Sequence, residues 1–370
     1  NGQAAAFFTQ LGDSPLARVH MIVKLTDRKV PKLDLKALES EIAEAARSWA
    51  DKLLDALVPR EGEARAHELQ ARFGRAFGPA YQAQYTTDEA LFDLDKIEAI
   101  DKSGEVGFNL YRPEGTAANT VRFKLYNQET QIALSDVLPV FEHMGFKVIN
   151  EGGPHVVHVL DASFERLVIH DFGLESRSGA DIDLAASRDV FEDAFARVWH
   201  GDAESDGFNA LIVGAGLAWR QIVVLRAYCK YLRQVGITYS QTYMEQTLAR
   251  HPEFARLLVQ MFMAGFDPAK GKKATDLEKL RARYKEKLDG VASADEDRIL
   301  SRFLNMIDAT LRTNYFQPDE DGNTKSYVSF KIDSRKVEEM PLPRPFREIW
   351  VYSPRVEGVH LRFGLVARGG

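Results

Sequence analysis

The chain has 370 residues, of which 45% are hydrophobic and 28% charged, and a formal net charge of -6 at pH 7. That balance excludes an intrinsically disordered chain, and the acidic sign argues against a nucleic-acid surface, which needs a basic face. The most apolar run, 208–219, is too short to span a membrane and carries Gly214 and Gly216, no signal peptide is seen, and the single cysteine, Cys229, excludes an internal disulfide and suits a reducing cytoplasm.

Two or three domains are expected at this length. Residues 17–25 alternate, with Val19, Met21, Val23 and Leu25 on one face and Arg18, His20 and Lys24 on the other, which predicts a half-buried strand. A long helix is predicted over 34–58, with Leu38, Ile42, Ala45, Trp49, Leu53 and Leu57 on its apolar side and Asp34 as N-cap. Further helix is predicted over 61–84, interrupted near Gly78-Pro79, and again over 87–99. From 104 to 200 the rhythm changes. Strands are predicted at 106–111 and 121–126. In the second, Val121, Phe123 and Leu125 face a core while Arg122 and Lys124 face water. A helix follows from Ser135, an N-cap candidate, to Met144, with Asp136 in its first turn and Gly145 in the left-handed position after it. Strands at 146–150, 156–160 and 166–172, the last two as a hairpin, and a helix at 184–199 complete a βαββα order. That order is the one of a ferredoxin-like sandwich, with helices over one face of an antiparallel sheet.

Residues 206–316 read as helical. Ile222, Leu225, Cys229 and Leu232 fall on one side of a helix, and Arg226, Lys230 and Arg233 on the other. Cys229 is thus expected to be an inert core thiol. Ser240 and Pro252 mark helix starts, and Ser293 with Glu296 has the spacing of a capping box. The helix from Ser293 is expected to bury Leu300, Phe303, Leu304, Ile307 and Leu311. After Pro318, strands are predicted at 326–332, 348–352 and 359–363, with Pro341, Pro343 and Pro345 imposing an extended link. The fold class is therefore α+β.

Motifs that carry chemistry are few. His155 and His158, near His170-Asp171, stand three apart on a strand and point to opposite faces, so no metal site is expected. Gly214-Ala215-Gly216 lacks the strand before it that a dinucleotide fingerprint needs, and helix packing is the expected role. The cluster 319–323 lacks the bidentate glutamate of a calcium loop and reads as a solvated turn. The basic bias of Arg344, Arg347, Arg355, Arg362 and Arg368 fits either solvated strand faces or carboxylate binding.

Four stretches resemble the large bacterial NAD-specific glutamate dehydrogenases: 133–145 (ALSDVLPVFEHMG), 225–234 (LRAYCKYLRQ), 295–300 with 310–316 (DEDRIL and TLRTNYF), and 353–362 with 366–370 (SPRVEGVHLR and VARGG). The resemblance extends over nearly the whole sequence. It implies a piece of a larger protein: a regulatory and assembly region, preceding and just entering a catalytic domain. It implies a partial ACT-like unit with long helices at 1–103, an ACT-like ferredoxin-fold module at 104–204, a helical domain at 205–317 and the β-rich start of the catalytic domain at 318–370. The parent is expected to oxidise L-glutamate to 2-oxoglutarate and ammonia with NAD, as a cytoplasmic homo-oligomer. The catalytic lysine and the NAD site are expected beyond Gly370, leaving the piece alone inactive. Arg368, Gly369 and Gly370 match the start of the family's substrate segment, whereas Phe363-Gly364 stands where two glycines are expected.

If 104–200 is ACT-like, an amino-acid effector is expected near Gln128, Ser135 and Asp136. There the unpaired N–H groups of a helix start favour a carboxylate, and Asp136 suits an ammonium group. The other reading of Ser135 is an N-cap only. A stand-alone amino-acid sensor and an oligomerisation scaffold are the alternative functions.

Overall fold

The computed structural model describes residues 2–10, 18–25, 34–269 and 274–364. The chain divides into two units, Asn1–Gln70 and Ala71–Gly370.

In the first unit, β1 (Gly2–Gln10) and β2 (Arg18–Leu25) form an antiparallel pair running from Gly2 opposite Leu25 to Gln10 opposite Arg18. The sequence reading had only the second of these strands. Asp34 caps α1 (Leu35–Ala46), accepting the N–H groups of Lys36 and Ala37. The helix expected over 34–58 is in fact two. Arg47 is extended, and Ser48 starts α2 (Trp49–Glu61) with a reciprocal capping box to Asp51. Local side-chain bonds of this kind offer the backbone an alternative to continuing a helix. Gly62, at φ 79°, separates α2 from α3 (Glu63–Phe73).

The second unit continues with α4 (Pro79–Gln84) and α5 (Thr87–Ser103), the latter opened by a Thr86–Glu89 capping box and closed by left-handed Gly104. A four-stranded sheet follows, built from β3 (Gly107–Tyr111), β4 (Thr120–Gln128), β5 (Phe146–Val157) and β6 (Leu167–Ser176). Its order is β3-β4-β6-β5 with every neighbour antiparallel. The strands expected separately at 146–150 and 156–160 are merged: β5 is one strand ending at Val157, irregular between Val148 and Asn150 and between Gly152 and His155. One face of the sheet carries α6 (Leu134–His143) and α7 (Leu184–Trp199). There Phe123 packs against Phe141, Phe191 and Phe195, with ring centroids 4.7–5.4 Å apart.

The opposite face is also covered. Tyr81 of α4, Tyr85 just after it and Asp93 of α5 lie over Lys124 and Tyr126. The expectation that Lys124 faces water is therefore wrong: the residue is 2% exposed. Alternation assigned the face correctly, but a second helical layer keeps it dry.

Beyond the sheet come α8 (Leu211–Ala215), α9 (Trp219–Gln234), α10 (Gln241–Arg250), α11 (Pro252–Phe266), α12 (Ala274–Leu288) and α13 (Ala294–Ala309). Gly216, at φ 64°, ends α8, while Gly214 lies within the helix. Ser240 caps α10 and Pro252 opens α11, as the sequence reading has them. Helix α9 is buried nearly all round. Arg226, expected on its polar side, is 1% exposed and gripped by Asp206 at 2.7 and 2.8 Å and by Asn209 at 2.7 Å. Cys229 is buried beside it, and burial pushes its thiol pKa well up.

The helix expected to hold Leu311 ends at Ala309. Thr310 turns the chain by bonding the Met306 carbonyl at 2.7 Å and opens β7 (Thr310–Thr313), which leaves Leu311 exposed. With β8 (Val328–Ile332), β9 (Arg347–Tyr352) and β10 (Glu357–Arg362) it forms an antiparallel sheet of order β10-β9-β8-β7. This sheet shares its core with α9: Trp350 donates its indole N–H to the Ala227 carbonyl at 3.0 Å, and Tyr231 donates its hydroxyl to Glu348.

Candidate functional site

Gln128 is the last residue of β4, and its amide reaches the Ile100 carbonyl of α5 at 3.4 Å. The N-cap of α6 is Ala133, without a side-chain cap bond, so Ser135 is not the cap but the second residue of the helix's first turn. Ser135 and Asp136 are exposed and lie side by side, Oγ to Oδ1 3.3 Å. The structure thus brings Ser135 and Asp136 together and leaves Gln128 engaged with α5. Arg368, Gly369 and Gly370 lie outside the described residues.

The loop entering α6 is held from below. Glu129, at φ 64°, exchanges bonds with the Arg166 strand end: its N–H donates to the Arg166 carbonyl at 3.0 Å, and its own carbonyl accepts Arg166 Nε at 2.7 Å. The Ile132 N–H donates to Nε2 of fully buried His170 at 3.2 Å. That bond leaves the ring proton on Nδ1, which faces Glu151 Oε1 at 2.6 Å. His170, which the sequence reading weighed only as a metal ligand, instead positions the segment where the effector was expected.

The most concentrated chemistry lies between α4–α5 and the sheet. Asp93, fully buried, accepts Lys124 Nζ at 2.6 and 2.9 Å, the Tyr126 hydroxyl at 2.6 Å and the Tyr81 hydroxyl. Asp171, also fully buried, accepts Arg122 Nε at 3.0 Å, Tyr85 at 2.5 Å and Tyr111 at 2.6 Å. Burial, and after it the adjacent carboxylates, raise the pKa of all four phenols, so they remain protonated donors. The ammonium of Lys124 also lies 3.9 Å from the Tyr85 ring centroid. His155, at the edge, bonds Gln84 at 3.1 Å, and burial lowers its pKa against the opposing pull of Asp171. Gly173 permits the approach: a Cβ there would come within 2.6 Å of Asn150 Oδ1, which itself accepts from Arg122.

Each buried charge has a counter-charge and each carboxylate several donors, so the cluster is saturated. It holds no free base or nucleophile. It locks α4 and α5 to the sheet that carries the expected effector segment on its other face. The sequence holds one signal for it: Asp93 interrupts the stripe Ala90, Leu94, Ile97, Ile100, all buried.

No helix among the described residues is long and apolar enough to cross a membrane. Family models match the chain in succession: "Glutamate dehydrogenase, ACT2 domain" at 1–50, "helical motif 2" at 56–100, "ACT3 domain" at 105–187, "helical motif 3" at 203–268 and "Bacterial NAD-glutamate dehydrogenase, catalytic domain" at 283–370. Curated relatives named NAD-specific glutamate dehydrogenase match over almost the whole chain. The protein of Halomonas elongata is 42% identical over 98% of it, that of Pseudomonas aeruginosa 39% over 98%, and that of Mycobacterium tuberculosis 36% over 100%. The chain spans only 22–24% of the length of these relatives. With matches that run in order from its first strand to its last sheet, the chain belongs to the bacterial NAD-specific glutamate dehydrogenases.

Proposed function

We propose that this chain is the regulatory and assembly region of an enzyme that oxidises L-glutamate to 2-oxoglutarate and ammonia while reducing NAD, in the cytoplasm, as a homo-oligomer. The observation that carries the reading is the ordered run of matches along one chain, ACT and helical segments first and the catalytic-domain segment last. We place a partial ACT-like unit at 1–103, an ACT-like module at 104–204, a helical domain at 205–317 and the entry to the catalytic domain at 318–370. The ferredoxin-like reading of the second is supported by its sheet. In the order β3-β4-β6-β5, β4, β5 and β6 are arranged as the first three strands of a βαββαβ unit, and β3 fills the place of the fourth, entering from the front of the chain.

When bound, NAD would accept the hydride in the longer protein. The present chain supplies no strand–turn–helix glycine loop among its described residues; Gly214 lies inside a helix that Gly216 closes. Arg368, Gly369 and Gly370 are proposed to begin the substrate segment. The effector segment is proposed at Gln128, Ser135 and Asp136, positioned by His170, with an amino acid as ligand. An assembly role is favoured by the apolar side chains the first unit exposes: Phe7, Met21, Leu35 and Ile42 are each more than half exposed.

The test has two arms. A protein of the relatives' full length that contains this chain should reduce NAD with glutamate; absence of turnover sinks the enzymatic reading. The 370-residue chain alone should give none, and calorimetric titration with the common amino acids should reveal a ligand whose heat disappears in Asp136→Ala. A folded chain silent toward every amino acid at millimolar concentration removes the effector segment.

A further inference from the structure

The start of α9, the end of α7 and the two segments flanking β8 and β9 enclose a cavity of about 240 Å³. Its wall includes Arg220, Lys325, Arg355, Arg197, Asp202 and Trp219. Arg197 is already matched, to Asp193 at 3.5 Å and Asp202 at 3.2 Å. Arg220 is not. It is 9% exposed, and its Nε and Nη2 atoms are buried with no hydrogen-bond partner among the described residues. Its guanidinium carbon lies 5.2 Å from the Tyr315 ring centroid and 5.9 Å from that of Trp219.

An unpaired buried guanidinium is costly, and proteins leave few such groups without a use. Burial lowers the pKa of Arg220 and no carboxylate opposes it. By contrast, Arg226 two turns along the same helix has Asp206 and Asn209. The two idle atoms matter together. Nε and Nη2 form one edge of the guanidinium, where two parallel N–H groups match the two oxygens of a carboxylate. At the mouth, Lys325 and exposed Arg355 form no ion pair among the described residues, so the free charge of the cavity is positive at both its floor and its rim. The volume lies just below the ~300–1,000 Å³ typical of drug-sized ligands, which favours a small occupant.

We propose that this cavity binds a small dicarboxylate, one carboxylate drawn to the unpaired guanidinium of Arg220 beside Trp219 and the other facing Lys325 and Arg355. The site is distinct from the segment at Gln128–Asp136, and its test does not depend on that assignment. Binding there would tie α7, α9 and the β9–β10 connection to one ligand.

The purified 370-residue chain is titrated with succinate and, separately, with inorganic phosphate, by calorimetry and by thermal shift. Saturable succinate binding and a raised melting temperature are expected. Arg220→Lys, which keeps the charge and loses the side-on pair, should weaken binding at least about tenfold. Arg220→Met should abolish it and yet raise the melting temperature of the ligand-free protein, because it removes an unpaired buried charge. Lys147→Ala, on the exposed sheet surface, should change neither. The proposal is overturned by no succinate binding at millimolar concentration, by succinate binding undiminished in Arg220→Met, or by a fall in melting temperature for Arg220→Met, which would make Arg220 a structural residue. Phosphate binding without succinate binding equally removes the dicarboxylate assignment.

Discussion

Lys124 shows how a single position changes meaning with its surroundings. Truncating it leaves Asp93 buried and unpaired, so Lys124→Ala should cost about 3–5 kcal/mol, whereas Lys147→Ala, whose side chain is 59% exposed, should stay within about 0.5 kcal/mol. Chemical denaturation measures both. The double variant Lys124→Met/Asp93→Leu should recover only part of the loss, since it leaves no orphan charge but strands the buried Tyr81 and Tyr126 hydroxyls that donate to Asp93. His155 offers a pH test. Burial disfavours its charged form in the fold, so the unfolded chain takes up the proton first as pH falls below about 6.5. The stabilising contribution is present above that range and lost on acidification. The drop in melting temperature between about pH 7.5 and pH 5.5 should accordingly be smaller in His155→Gln than in the parent, other groups being common to both. Residue-level signals were legible where they were local: Asp34, Ser240 and Ser293 cap the helices the sequence assigned to them. They were illegible where the partner is remote. Lys124 meets Asp93 and Arg226 meets Asp206, each across more than a turn of chain that only the fold brings back. A charged residue in a strand or helix reads as solvated until its counter-charge is found.

At the scale of elements, periodicity gave the type and the face, and side-chain competition set the ends. The break between α1 and α2 is written in Ser48 and Asp51, three residues apart, but the apolar stripe runs straight through it. Ser48→Ala should destabilise the first turn of α2 by about 1 kcal/mol, read as a loss of helical circular dichroism at sub-denaturing temperatures. Strand β4 carries its core face through Val121, Phe123 and Leu125 as the alternation predicts. Phe123 touches four other phenylalanines, so Phe123→Ala should cost about 3–5 kcal/mol by equilibrium unfolding. A loss below about 1 kcal/mol would mean that the sheet does not pack as described. The irregular middle of β5 escaped the sequence because its glycines and Pro154 read as a gap, whereas the paired partner β6 carries the strand across it.

For the molecule as a whole, the α+β class and the sequence of sheet, helices and second sheet could be read from changes of rhythm along the chain. The double covering of the first sheet could not, because nothing in α4 and α5 themselves says which surface they will land on. The same holds for the cavity at Arg220: its cations come from α7, α9 and the loops around the second sheet, far apart in sequence, and of them only Arg355 stands out in the sequence. Family resemblance supplied the activity proposed for the longer protein; packing alone supplied the two buried ion clusters and the unpaired guanidinium.

Helix α9 lies inside the helical layer and also carries the second sheet on Ala227 and Tyr231. Its amides therefore have no local route to solvent. Deuterium should enter α9 only when the whole second unit opens, making it the slowest-exchanging segment, while the exposed ends of α12 exchange through fraying. In time-resolved labelling the buried middle of α9, Val223 to Tyr231, should gain mass together with β9 in a single step. Separate steps would divide the helical layer and the second sheet into independently opening parts.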